Sequence, residues 1–149
     1  AHAGRAAPPD TPFPAPVAGR PAAKGAVGAI AALQAPAYSI VRAPMTATVR
    51  YAGRAGGDGL TAVLEPQTGV LIVLRGLATI DRDVGETLVA GEALGAMGGP
   101  QRAGEEFLID ASAANGTIPA ETLYIEVMRG GEPDDPAVWF ALTAERTGG

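Results

Sequence analysis

Few side chains in this chain can do chemistry, and their spacing excludes most of what they could do. The only histidine is His2, and cysteine is absent, so thiolate nucleophiles, disulfides and thiolate metal sites are ruled out. A catalytic zinc generally takes three protein ligands from His, Asp, Glu or Cys and keeps one position open for water. Ser39 and Ser112 are the only serines, and no histidine follows position 2 to serve them as a base, so serine hydrolysis lacks its machinery. Asp81, Asp83 and Glu86 cluster as a calcium site might, without the twelve-residue loop spacing. They read as turn acids. Gly53, Gly56, Gly57 and Gly59 in "GRAGGDG" precede a strand pattern rather than a helix, so a phosphate-cradling loop would lack its helix N-terminus. An enzyme is not expected.

The elements that would carry any site are strands. With 21 glycines and 13 prolines in 149 residues, and 47% hydrophobic content of which little is aromatic, the pattern suits many short strands around a Val, Leu, Ile and Ala core. The fold class expected is all-β, mainly antiparallel. A net charge of -5 and a single lysine, Lys24, leave no basic run for phosphate contacts, which excludes nucleic acid as a partner. No apolar run reaches the ~18 residues that span a membrane.

Along the chain, residues 1–16 are Ala/Pro-rich without periodicity and read as a disordered linker, leaving 17–149 as the domain. "ATVRY" reads as a strand with Val49 and Tyr51 on one face and Arg50 opposed. Leu60 to Glu65 and Val70 to Leu74 read as a hairpin closed around Pro66-Gln67-Thr68-Gly69. The continuous "VLIVL" predicts a strand buried on both faces. Thr87 to Val89 and Ala93 to Met97 flank a turn at Gly91, and Leu123 to Met128 forms a further strand. Residues 98–121, with "EEFLIDAS" between glycine-rich flanks, are expected to be an inserted hairpin or flap. Asp135 before Pro136 predicts an N-cap with proline at N1, starting a short helix that packs Trp139.

Several blocks then occur together in one order: Val41-x-Ala43-Pro44, Val84-x-x-x-Leu88-x-x-Gly91-x-x-Leu94-Gly95, and Leu123-Tyr124-Ile125-Glu126-Val127 followed by Pro136 and Trp139. Over the last two thirds of the chain, and more loosely over 13–37, this resembles the LytM (M23) family of peptidoglycan endopeptidases. The resemblance implies a LytM-type β-sandwich or barrel-sandwich hybrid with a short C-terminal helix. It also implies where the metal chemistry has gone. The family's His-Leu-His-Phe-Glu aligns with Thr122 to Glu126, so its two histidine slots hold Thr122 and Tyr124. The mid-chain Tyr-x-His-Leu aligns with Leu74-Arg75-Gly76-Leu77, putting Gly76 in the third. The upstream His-x-x-x-Asp falls on Gly28 and Ala32.

The chain is therefore similar to the EnvC-like murein hydrolase activators, whose LytM domains lack zinc and switch on periplasmic amidases. What this implies is a non-catalytic periplasmic protein without a cofactor, acting in cell division and septal wall splitting by binding an amidase's regulatory helix. The implied groove comprises Tyr124, Thr122, Gly76, Arg75, Leu74, Met128 and Tyr51. Met128 stands where an arginine is usual, with Arg129 beside it. An FtsEX-type divisome complex, reached through an upstream coiled coil, and peptidoglycan itself are further implied partners. The rival readings are a peptidoglycan-binding module that keeps the cleft without chemistry, and an enzyme using an unforeseen metal. A biotinyl or lipoyl carrier, which "APM" and "VGETLVAGEAL" resemble, is excluded because the tip tripeptide reads Ala96-Met97-Gly98 and offers no lysine.

Overall fold

The computed structural model describes residues 9–27, 30–55, 59–99 and 120–142. The expected insert lies almost entirely outside them, as do positions 1–8 of the leader. Residues 13–16 of that expected linker belong to the fold, because β1 (Phe13–Pro14) pairs in parallel with β13 (Phe140–Ala141) and Pro16 is buried.

The main sheet is built from β2 (Arg20–Val27), β3 (Ile30–Pro36), β11 (Ala120–Arg129), β7 (Val70–Leu77), β6 (Leu60–Gln67), β5 (Ala47–Gly53) and β9 (Thr87–Leu88), in that spatial order. Neighbouring strands are antiparallel, and β12 (Glu132–Asp134) folds back onto the end of β11. A smaller sheet of β4 (Ile40–Arg42), β10 (Ala93–Ala96) and β8 (Thr79–Ile80) buries Val41 and Leu94 in the same core. Among the described residues the architecture is thus mostly antiparallel β with one short helix, α1 (Pro136–Trp139), as the class expectation required.

Alternation along the central strands decides what is core. Leu123, Ile125 and Val127 on β11 pack with Val70, Ile72 and Leu74 on β7 and with Ala62 and Leu64 on β6, all fully buried. The residues between them point to the other side, where Leu71 and Val73 remain half exposed. So "VLIVL" is fully buried on one face only, since Leu71 and Val73 on the other are only partly buried. Residue order misled the reading of β5 as well. Val49 pairs with Leu64 and Tyr51 with the adjacent Val63, so Arg50 is an extra residue that reverses the alternation. Val49 enters the core and Tyr51 does not.

Local signals were read correctly where they close on themselves. The Pro66–Gly69 hairpin forms with Gly69 at φ +91°, and the Gly91 turn forms likewise at φ +91°. At α1 the Asp135 carboxylate accepts from the Ala137 N–H at 3.0 Å, with Pro136 following the cap.

The C-terminal corner is locked through Asp134. Its Oδ2 accepts from the buried Trp139 Nε1–H at 3.0 Å and faces Arg129 Nε at 3.1 Å, while Oδ1 accepts from the Asp135 N–H at 2.9 Å. The indole bond foremost, with the Asp135 amide and the Arg129 guanidinium, holds the Asp134 carboxyl below the usual carboxylate range against the opposing effect of burial. A depressed folded-state pKa contributes stability above the unfolded value near ~3.9, and that stability is lost as pH falls through the lower folded value. Asp134→Asn is therefore expected to cost on the order of 1–2 kcal/mol at neutral pH. The gap should narrow as pH falls below the unfolded value and through the lower folded one. Denaturant melts followed by the fluorescence of Trp139, the only tryptophan, measure both.

Candidate functional site

The outer face of the main sheet gathers the positions that the resemblance singled out. Tyr124 on β11 stands between Ala32 on β3 and Arg75 on β7, directly opposite each in register. Two pairs along, Thr122 faces Gln34 on β3. On its other side Thr122 meets Gly76, where a Cβ would lie 2.5 Å from the Thr122 carbonyl oxygen. Four of the positions singled out by the resemblance, Thr122, Tyr124, Gly76 and Ala32, thus adjoin one another although up to 92 positions separate them in the chain (124 − 32). The fifth, Gly28, lies outside the described residues.

Gly76 sits at φ +107°, a left-handed conformation that favours glycine. Gly76 therefore adds no depth to the implied groove. The space into which a side chain would grow is filled by the backbone of β11, so the position is a close strand contact and not a recess.

Around this centre the face is mixed. Tyr124 is 44% exposed and Tyr51 39%. The Tyr51 hydroxyl donates to the Arg54 carbonyl, and the ring lies along β5 over Gly53. Arg75 Nε meets Glu126 Oε2 at 3.2 Å across the β7–β11 pair, and Arg50 Nε meets Glu65 Oε1 at 3.4 Å across β5–β6. Met128 lies on the same outer face beside Leu71. Arg129 points to the opposite side, where Asp134 engages it, so it does not share the outer face with Met128.

Leu74 has to be removed from the groove. It is 0% exposed and packs in the core, because it is one residue from Arg75's outward position and side chains alternate. Val63, Val73 and Glu126 belong to the face instead. Their signal was present in the alternation of β6, β7 and β11, and it became readable only with the pairing register.

Among the described residues, no three His, Cys, Asp or Glu side chains converge as a metal-binding group. A cavity of about 390 Å³ lies elsewhere, between residues 15–19 and β4, lined by Ala15, Pro16, Val17, Ile40 and Arg42. It contains none of the expected site residues, and its arginine is engaged with the Gly91 carbonyl at 3.1 Å.

This arrangement of a large and a small sheet, with the outer face over β3, β11 and β7, is the fold of the LytM (M23) peptidase domains. The chain is similar to a Pseudomonas aeruginosa protein assigned to peptidase M23, at 20% identity and a TM-score of 0.67 over 91% of this chain and 53% of that one. It is similar to Helicobacter pylori Csd3 at 14% identity and a TM-score of 0.62, covering 87% of this chain and 34% of that one. The catalytic domain of prophage-encoded EnpA from Enterococcus faecalis matches at 16% identity and a TM-score of 0.55, over 88% of this chain and 95% of that domain. The chain therefore spans about half of the first protein and a third of the second. No protein-family model matches the chain, and no curated protein does.

Proposed function

We propose that this domain is a non-catalytic activator that binds the regulatory helix of a periplasmic peptidoglycan amidase on the outer face of its main sheet. One observation carries the reading. On an M23 fold, the described lost-ligand slots adjoin one another and hold Thr122, Tyr124, Gly76 and Ala32, none of which supplies an imidazole, carboxylate or thiolate. What occupies the place of a charged metal centre is an exposed aromatic surface flanked by ion pairs. Such a surface suits the apolar side of an amphipathic helix. An amidase whose own helix blocks its zinc site is switched on when that helix is captured elsewhere. The activator need only bind the displaced state better than the blocked one, since differential affinity sets the shift in population. The periplasmic location and the role in septal wall splitting belong to this proposal, as do the FtsEX-type complex and peptidoglycan as further partners. No described helix is long and apolar enough to cross a membrane.

Dye release from labelled peptidoglycan by a purified zinc amidase, with and without this domain, tests the activator role directly. Stimulation by the domain, with no release by the domain alone, is the expected result. Retention of the domain on purified sacculi without any stimulation would instead make it a peptidoglycan-binding module. The purified protein is also expected to carry no stoichiometric zinc after equilibration with the metal. One tightly held zinc per chain by atomic absorption would sink the non-catalytic reading.

A further inference from the structure

We infer that the partner segment lies in a trough centred on Val63 and Val73 and walled on one side by Tyr124, and that it is a helix presenting aliphatic side chains at i and i+4. The inference rests on the activator reading and specifies where and how that helix is held.

The walls are set by the register. Gly53, Thr61, Arg75 and Tyr124 form one continuous row across β5, β6, β7 and β11. Because the Tyr51 ring lies over Gly53, anchored by its hydroxyl to the Arg54 carbonyl, the two exposed tyrosines stand at the same level. Three interstrand spacings separate their strands, about 14 Å. An α-helix with its side chains is about 10–12 Å across. The trough therefore takes one helix, with its axis along β6 and β7.

The floor is aliphatic. Val63 and Val73 pair in register in the next row, and Leu71 follows Val73 outward on β7. Arg75 would interrupt this surface, but Glu126 holds its guanidinium at 3.2 Å toward the β11 wall. Outward residues two apart on a strand are separated by about 6.6–6.8 Å. Helix residues i and i+4 are separated by about 6 Å along the axis, so two successive apolar side chains of the helix can rest on Val73 and Leu71. An added strand is not the occupant, since β6 and β7 are already paired along both edges and have no backbone groups to offer.

The test uses the full chain, the same dye-release assay and a purified zinc amidase that carries its blocking helix, with thermal melts of every variant. Val73→Glu places a charge on the floor and is expected to cut stimulation at least about tenfold, and Tyr51→Ala about tenfold. Val89→Ala, exposed in the turn after β9 and outside both the implied groove and the trough, is expected to stay within about twofold. Should Val73→Glu fail to fold, Val73→Thr decides, keeping the shape while adding a hydroxyl, with an expected loss of about fivefold. Folded Val73 and Tyr51 variants that stimulate like the wild type, while Tyr124→Ala does not, would overturn the trough and leave the activator reading standing. A wild-type domain that gives no stimulation would overturn both.

Discussion

Gly76→Ala is expected to lower the stability of the domain by about 3 kcal/mol or more, without any partner being involved. Two effects add. The backbone at Gly76 has φ +107°, and an L side chain held there costs about 1–3 kcal/mol. The new Cβ would also lie 2.5 Å from the Thr122 carbonyl oxygen, so β7 and β11 would have to separate at the centre of the main sheet. Gly85 supplies the control, because it has a similar φ of +99° with nothing within 4 Å of a built Cβ. Gly85→Ala should show the conformational strain alone, about 1 kcal/mol. At roughly 2–4 °C per kcal/mol for a domain of this size, the Gly76 variant should melt about 6–12 °C below the wild type. If the two glycine variants melt together, the close strand contact does not exist as described. The same overlap bears on function, since a histidine placed at position 76 would meet the Thr122 carbonyl before it could reach the face.

The second large effect separates the core from the binding face by comparing two residues once assigned to the same groove. Leu74→Ala removes a fully buried side chain and is expected to cost about 2–5 kcal/mol of stability. Tyr124→Ala removes a side chain that is 44% exposed, so its stability cost should stay below about 1 kcal/mol. Its effect should appear in partner binding, on the order of 2 kcal/mol or roughly thirtyfold in affinity, as for an aromatic anchor at an interface. Urea melts and amidase stimulation at matched concentrations read the two separately. A Tyr124→Ala protein that unfolds, or that folds and stimulates normally, would refute binding through this residue. A stable Leu74→Ala protein would show that the assignment of Leu74 to the core is mistaken.

Where the sequence was informative, the signal was local or compositional. The Pro66–Gly69 hairpin, the Gly91 turn and the Asp135 cap each depend on residues within a few positions of one another, and turn and capping chemistry acts over that distance. The antiparallel β class followed from glycine and proline punctuating short apolar runs. That no histidine follows position 2 was a matter of reading letters. What needed the tertiary structure was the side of the sheet on which each residue falls. The extra residue at Arg50 sends Tyr51 outward and Val49 inward, and an unbroken alternation would have kept them together. "VLIVL" has no polar position to reveal that one of its faces is only partly buried. Only the pairing of β7 with β11 and β6 puts Leu74 in the core and Val73 on the face. Likewise Ala32 and Tyr124 become neighbours through the β3–β11 register. A strand's own residues specify its period of two, but its phase and partners are set by which surfaces must be buried, and that is a property of the assembled sheets.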